Sequence, residues 1–471
     1  MTMKMERSLK YAFWAIWALI VGTCACFIVF HAQWCIGDDA IIMNHTGSGI
    51  PFSPSDTILP GLGRFYPFAY LAYDILLPFS SGYLSATAHY WIHLAWFVVL
   101  SLSTACLFLR LFESQAPIWK YSLSLFSTFV IVFRLYPDYL NVFSSIWGSY
   151  TLLGVFVYLC WMFHAKRKAV YAILALVVIN YAQFCLECEF VIPLSMGAGG
   201  ILFLREEYKK GRWFFWALAG SGLLYLALYG TMVFPHIKHA YDGAHGSGVT
   251  LLSNAIRMFI GNKIVILALV TAAVRAVDWI RHRWDYTFFD NLLLAGLAFT
   301  FACYVLRLNW TMYYNLGAIL VFPAVVHFSH QYLKSPLTLA ILAALLCLYG
   351  HKLPRVIRSN QTKRTTTAVQ MESLVQSSRE GKTLYWYCPE APYGKDAEQR
   401  TWKENSLRSY IQWMLRDPSF DFEIRESFEA DASGIWLECR ENDLLAPDRE
   451  KLSDHGKECF VSSGIKGYLC P

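Results

Sequence analysis

The chain has 471 residues, of which 56% are hydrophobic, 17% aromatic and only 16% charged, against about 25% charged in ordinary soluble domains. That composition excludes a soluble globular protein. The net charge of +6 does not indicate a nucleic-acid partner either, because the Lys and Arg residues cluster in short loops between apolar runs, where they act as topology signals.

The first apolar segment, Tyr11 to Phe30, follows Lys4, Arg7 and Lys10. It is long enough to span a bilayer and no small-residue cleavage pattern follows it, so it reads as a retained helix with its N-terminus in the cytoplasm. Further runs of spanning length are Ala86 to Phe108, Ile118 to Phe133, Val142 to Phe163, Ala169 to Phe184 and Phe190 to Leu204. Trp213 to Phe234, Ala255 to Val274, Phe288 to Leu306, Tyr314 to Phe328 and Pro336 to Gly350 follow, giving about eleven transmembrane helices by length. Every even-numbered span ends at a basic loop: Arg110; Lys166 to Lys168; Arg205 with Lys209, Lys210 and Arg212; Arg275 with Arg281 and Arg283; and Lys334. Five loops in register fix the alternation. They place the loop from Gln33 to Ser85, and everything after residue 350, on the non-cytoplasmic side.

The tail from residue 351 to residue 471 has 18 basic and 19 acidic residues, the mixed-sign pattern of a solvated domain. The expected division is a transmembrane unit over 1–350 and a small extracytoplasmic domain over 351–471. Asp396 to Leu415 has helical spacing, while Thr383 to Tyr387, Phe420 to Ile424 and Gly434 to Cys439 read as short strands. The expected class is therefore an all-α polytopic membrane protein with a small C-terminal α/β domain. Cys388, Cys439, Cys459 and Cys470, an even set in an exported domain, suggest two disulfides of open connectivity. Cys185 and Cys188 form a CxxC at a span turn and read as structural. His236, His239 and His245 match no tight metal-ligand spacing. Nucleotide-loop, HExxH and GxSxG motifs are absent from the sequence.

The first outer loop carries the chemistry. Gly37-Asp38-Asp39-Ala40 stands at the exit of the first span, and a carboxylate pair there must reach water or line a polar cavity. The loop also holds Gly61-Leu62-Gly63-Arg64-Phe65-Tyr66-Pro67, whose arginine suits a phosphate. Phe65 to Phe79 is aromatic but interrupted by Asp74 and Pro78, as expected for a helix lying in the membrane interface.

A long first outer loop with an acidic motif after the first span resembles the GT-C class of polytopic glycosyltransferases. The GDD exit, the downstream Gly-Arg and the outer C-terminal domain look most like bacterial O-antigen-modifying, serotype-converting glucosyltransferases. The resemblance implies a polyprenyl-phosphate-sugar donor, a lipid-linked glycan acceptor and residence among the lipids of the bacterial inner membrane. Asp38 or Asp39 would then take the proton of the acceptor hydroxyl, or hold a divalent cation, Mg or Mn. Arg64, Arg134, Lys238 and Arg307 would face the donor phosphate, with Arg257 and Lys263 as further outer cations. Glu187, Glu189 and Tyr66 would contact the acceptor, although a solvated pair of glutamates and an interfacial tyrosine are equally open. A lipid-linked-sugar flippase would show paired broken helices with charges at mid-bilayer. A polysaccharide polymerase or ligase would centre on late-loop cations such as Arg257 or Arg307.

Overall fold

The structure is a computed structural model that describes the chain apart from residues 1–2, 31–37, 49–51, 54–56, 72–74, 76–85, 140–145, 187, 204–210, 238–247, 283–285, 308–310, 388–395, 426, 430–431, 440–448 and 463–464. Within described helices and strands, some side chains also fall outside the description, among them those of Asp38, Asp39, Arg307 and Cys439.

The chain is a multi-pass helical membrane protein followed by a small α/β unit. Its first part runs α1 (Met3–Phe30), α2 (Asp38–Ser48), β1 (Ile58–Leu59), β2 (Arg64–Phe65), α3 (Ala86–Leu111), α4 (Pro117–Tyr139), α5 (Ile146–Lys166) and α6 (Ala169–Gln183). It continues through α7 (Val191–Phe203), α8 (Arg212–Met232), α9 (Gly248–Gly261), α10 (Lys263–His282), α11 (Phe288–Arg307) and α12 (Thr311–Gly350). Seven of the described helices are long and apolar enough to cross a bilayer, or eight if α9 and α10 form one bent pass, while α6 and α7 are shorter apolar helices.

One expected span is broken in two, and one long helix folds back into the two spans expected of it. Ala255 to Val274 is not one helix but breaks between α9 and α10 with an 81° bend. Asn262 makes the break: its side chain accepts from the Ile264 N–H at 3.0 Å, capping α10, and donates to the Tyr304 hydroxyl at 3.1 Å. The second case is α12, which doubles back at Lys334, where φ is 60°, immediately before Ser335 and Pro336. Arg134 donates from Nη2 to Asn315 Oδ1 at 2.6 Å and lies 5.9 Å from the Tyr349 ring. On a straight helix those two partners would stand about 51 Å apart at 1.5 Å per residue. Two antiparallel legs, as the sequence expects, satisfy both contacts.

Between α7 and α8 the packing is backbone to backbone. A Cβ at Gly197 would come within 2.5 Å of the Ala219 nitrogen, so only a glycine permits this approach. Arg275, expected as a topology cation, is instead buried and paired. Its Nε and Nη2 meet Asp290 Oδ1 and Oδ2 at 2.8 and 2.9 Å, and Asp278 and Tyr332 complete the cluster. Asp290 in turn accepts from the Thr287 N–H and hydroxyl, each at 2.7 Å, at the start of α11. This side-chain knot ties α10, α11 and α12 together at the end of the bundle away from the first loop.

The second part runs α13 (Leu353–Arg379), β3 (Leu384–Tyr387), α14 (Asp396–Leu415), β4 (Glu423–Arg425), β5 (Gly434–Cys439), α15 (Arg449–His455), β6 (Lys457–Ser462) and β7 (Ile465–Cys470). The sheet order is β4-β3-β5-β7-β6, with β3 parallel to β4 and β5 and the remaining pairs antiparallel. Met371, Leu374 and Val375 of α13 close one core with Leu407, Tyr410 and Ile411 of α14 and Trp386 of β3.

Cys459 and Cys470, expected in disulfides, are free thiols. The register sets Cys470 opposite Gly434 and Cys439 opposite Ile465. Cys439 and Cys470 therefore sit about 16 Å apart along the ladder, against a limit of about 7 Å between bonded Cα atoms. Cys388 and the Cys439 side chain lie outside the described residues.

Candidate active site

Helix α2 opens with Asp38 and Asp39, where the N-terminal end of the helix dipole favours negative charge. Its two faces have different partners. Ala40 is 0% exposed and belongs to the core of the C-terminal unit, and Asn44 on the same side donates from Nδ2 to Gln412 Oε1 at 2.7 Å. Ile42 instead belongs to the bundle core, the cluster that also contains Val21, Ile28 and Phe97. At 100° per residue, positions 38, 42 and 45 share one face and positions 40 and 44 the other. Position 38 is therefore on the face turned to the bundle, and position 39 lies between the two. The side chains of both aspartates are outside the described residues.

The arginine segment is a hairpin, so the interfacial helix expected over Phe65 to Phe79 does not begin at Phe65, although Leu71 and Ile75 further along that run are helical. β1 and β2 pair with Ile58 opposite Phe65 and Leu59 opposite Arg64. A 3-10 turn over Pro60–Leu62 joins them, and Gly63, with φ 68°, closes it, a conformation that glycine adopts without a Cβ penalty. Residues 67–70 then form turns; of the rest of the run, only Leu71 and Ile75 are described.

The hairpin is bolted to the bundle through its backbone. Tyr225 and Tyr229 of α8 donate their hydroxyls to Phe65 O at 2.8 Å and Gly63 O at 3.1 Å. The Phe68 N–H donates to Phe184 O at 2.9 Å, and the Cys185 thiol donates to Phe68 O at 3.4 Å. Phe65 packs its ring against Phe184 and Tyr225.

A ladder of rings joins the acidic helix to the arginine. His45 of α2 stacks on Phe52 at 4.3 Å, and Phe52 stacks on Tyr70 at 4.2 Å. Tyr70 meets the edge of Tyr66 at 6.4 Å, and the Arg64 guanidinium lies 4.4 Å over the Tyr66 ring. Tyr66 is thus a buried support for Arg64 rather than an open platform. His45, Phe52 and Gln412 were not singled out from the sequence, and Asn44 stood out there only as the start of an Asn-x-Thr triplet. The signal for His45 was its position seven residues after Asp38, two helical turns along one face.

Among the described residues, the other expected side chains do not join this group. Arg134 bridges the two legs of α12, as described above. Glu187 and Lys238 lie outside the described residues, and Arg307 ends α11 with its side chain undescribed. Arg257 and Lys263 are exposed.

Glu189 was expected to meet an acceptor or water. It is instead 0% exposed, and neither carboxyl oxygen has a hydrogen-bond partner among the described residues. Burial pushes its carboxyl well above the usual carboxylate range, the nearby Ser149 hydroxyl being the group that opposes this.

Among the described residues no three His, Cys, Asp or Glu side chains gather to hold a metal. His236 is exposed, and His239 and His245 are outside the description. Cys185 and Cys188 are buried free thiols.

No family model matches the sequence, and no curated protein matches it. Among solved structures, the chain is similar to the oligosaccharyltransferase of Archaeoglobus fulgidus in two crystal structures. One is a complex with Zn and sulfate: 12% identity, a TM-score of 0.47, with 96% of this chain and 73% of that one covered. The other is the apo form: 11% identity, a TM-score of 0.47, with 90% and 65% covered.

Proposed function

We propose that the chain is a GT-C-type membrane glycosyltransferase that moves a sugar, glucose by the resemblance, from a polyprenyl phosphate to a lipid-linked surface glycan such as O-antigen. The observation that carries this reading is the ring ladder from His45 to Arg64, which joins a helix opening with two aspartates to a cationic hairpin at one end of a membrane bundle. The topology expected from the basic loops would make that end the non-cytoplasmic one, and the resemblance would make it the periplasmic side of a bacterial inner membrane.

The chemistry follows from the groups. A carboxylate at position 38, on the face turned to the bundle, accepts the acceptor's hydroxyl proton. The oxygen attacks the anomeric carbon, the bond from that carbon to the phosphate oxygen breaks, and configuration inverts in one displacement. The phosphate leaves with its electron pair, and Arg64, pre-set by Tyr66, meets the charge it gains. Asp39 would orient Asp38. Asp38 and Asp39 are also the residues that would hold a divalent ion, which would supply further positive charge to the leaving phosphate. The C-terminal unit, taken from residue 351, frames the site by holding α2 and would face the acceptor.

Purified protein incubated with a radiolabelled polyprenyl-phosphate sugar and a lipid-linked glycan tests the reading. Label appearing covalently on the glycan supports it. Label that only crosses the membrane, still on its carrier, would make the chain a flippase instead.

A further inference from the structure

Helix α13 begins directly after the second leg of α12 ends at Gly350, so its first turns stand where the chain leaves the apolar layer. Leu353 and Ile357, one turn apart, pack into the bundle core. Lys352, Arg355 and Arg358 are exposed on the other side, and among the described residues no carboxylate pairs with any of them. His351, also exposed, adds a fourth basic residue to the cluster. On the topology drawn from the basic loops this cluster lies at the end where cations are not placed as orientation signals, so it needs another use.

We propose that the first two turns of α13 bind the phosphate-bearing headgroups of anionic bilayer lipids and so seat the C-terminal unit on the membrane surface. Charge complementarity selects this occupant: three uncompensated cations face away from the protein at the level where an adjoining span reaches the headgroups. The seat has a mechanical consequence. About 24 Å further along the same helix, Met371 and Leu374 pack in the core that also contains Ala40 of α2. A headgroup contact at one end of α13 is thus linked through a continuous helix to the element that carries Asp38 and Asp39. The lipid contact itself does not rest on the transfer reaction.

The test is electron spin resonance on the full-length protein reconstituted in phosphatidylcholine, with trace spin-labelled phosphatidylglycerol or phosphatidylcholine. Wild type should hold the anionic phosphatidylglycerol in preference to the zwitterionic phosphatidylcholine. Arg355→Gln with Arg358→Gln should reduce that preference, on the order of tenfold for the sites lost, while Arg355→Lys with Arg358→Lys should retain it and 0.5 M salt should weaken it (about 0.5 M being well past the screening range). The proposal is overturned if the glutamine pair leaves the preference unchanged, or if the lysine pair loses it as fully, which would make the arginines structural. Inorganic phosphate displacing the labelled lipid as effectively as unlabelled phosphatidylglycerol would also overturn it, and would assign the cluster to a soluble phosphate ligand.

Discussion

Asn44 and Gln412, 368 residues apart in the chain, share a 2.7 Å hydrogen bond that fastens the acidic helix to the C-terminal unit. Gln412 is held in turn, donating to Phe420 O at 2.8 Å and Pro418 O at 3.1 Å. The element bearing the candidate base is therefore positioned by a part of the chain outside the membrane spans.

Truncating Gln412 should loosen α2 more than truncating Asn44 does, because three hydrogen bonds are lost instead of one. A net contribution of about 1 kcal/mol per bond puts Asn44→Ala at roughly fivefold faster amide exchange in α2, with Gln412→Ala well beyond that. Hydrogen exchange by mass spectrometry reads this directly. Equal, unchanged protection in both variants would mean that α2 is held without the C-terminal unit.

Arg64 should matter through its planar, stacked guanidinium. Arg64→Ala is expected to lower kcat/KM for the lipid donor by roughly 10 to 100-fold, the range of a lost charge-assisted contact. Arg64→Lys should recover little of it, since an ammonium lacks the flat fork that lies on Tyr66. Tyr66→Phe keeps the ring and should stay close to wild type. Steady-state kinetics on the three variants separates a positioned phosphate contact from a merely positive loop.

At the other end of the bundle, Arg275→Ala leaves Asp290 buried without its main partner. Breaking such a pair typically costs about 3–5 kcal/mol. Thermal unfolding in detergent should show a large loss for Arg275→Ala. Arg275→Lys should be intermediate, because one ammonium cannot reproduce the two-pronged contact.

Glu189 gives stability a pH dependence of known sign. Its folded-state carboxyl is raised above the ordinary range by burial, whereas an unfolded glutamate titrates near 4.3 (about 4.3 for model peptides). Between those two values the folded chain binds more protons than the unfolded one, so stability falls as pH rises through that window. Relative to Glu189→Gln, which has no such proton to lose, wild type should gain in melting temperature as the pH is lowered from neutral toward about 5. Parallel pH profiles for the two proteins would contradict the assignment.

Much of the frame was legible because the bilayer imposes a long apolar run on each pass and basic residues mark alternate ends. The α12 hairpin was readable from Lys334 and Pro336, and α14 emerged within its expected bounds. The α9–α10 bend was not, since Asn262 caps a new helix within an unbroken stretch that reads as one span. α13 escaped notice because its exposed, threonine-rich surface obscures the apolar spacing, and β6 and β7 are short strands defined by their partners. At the site, the acid pair and Arg64 could be picked out as types suited to the chemistry. Their linkage could not, because Gln412 reaches Asn44 across 368 residues, and nothing local marks the rings of Phe52 and Tyr70 as stacking on each other. Glu189 misled for a similar reason: a glutamate at a span turn suggests water, whereas here Ser149 of α5 and the buried Cys188 lie beside it.

The most direct measurement is single-turnover sugar transfer by purified wild type, Asp38→Asn and Asp39→Asn, each first checked for correct folding. Loss of the base should slow Asp38→Asn by about 100 to 10,000-fold, with donor binding retained. Both variants transferring at the wild-type rate would contradict the assignment of proton removal to the start of α2.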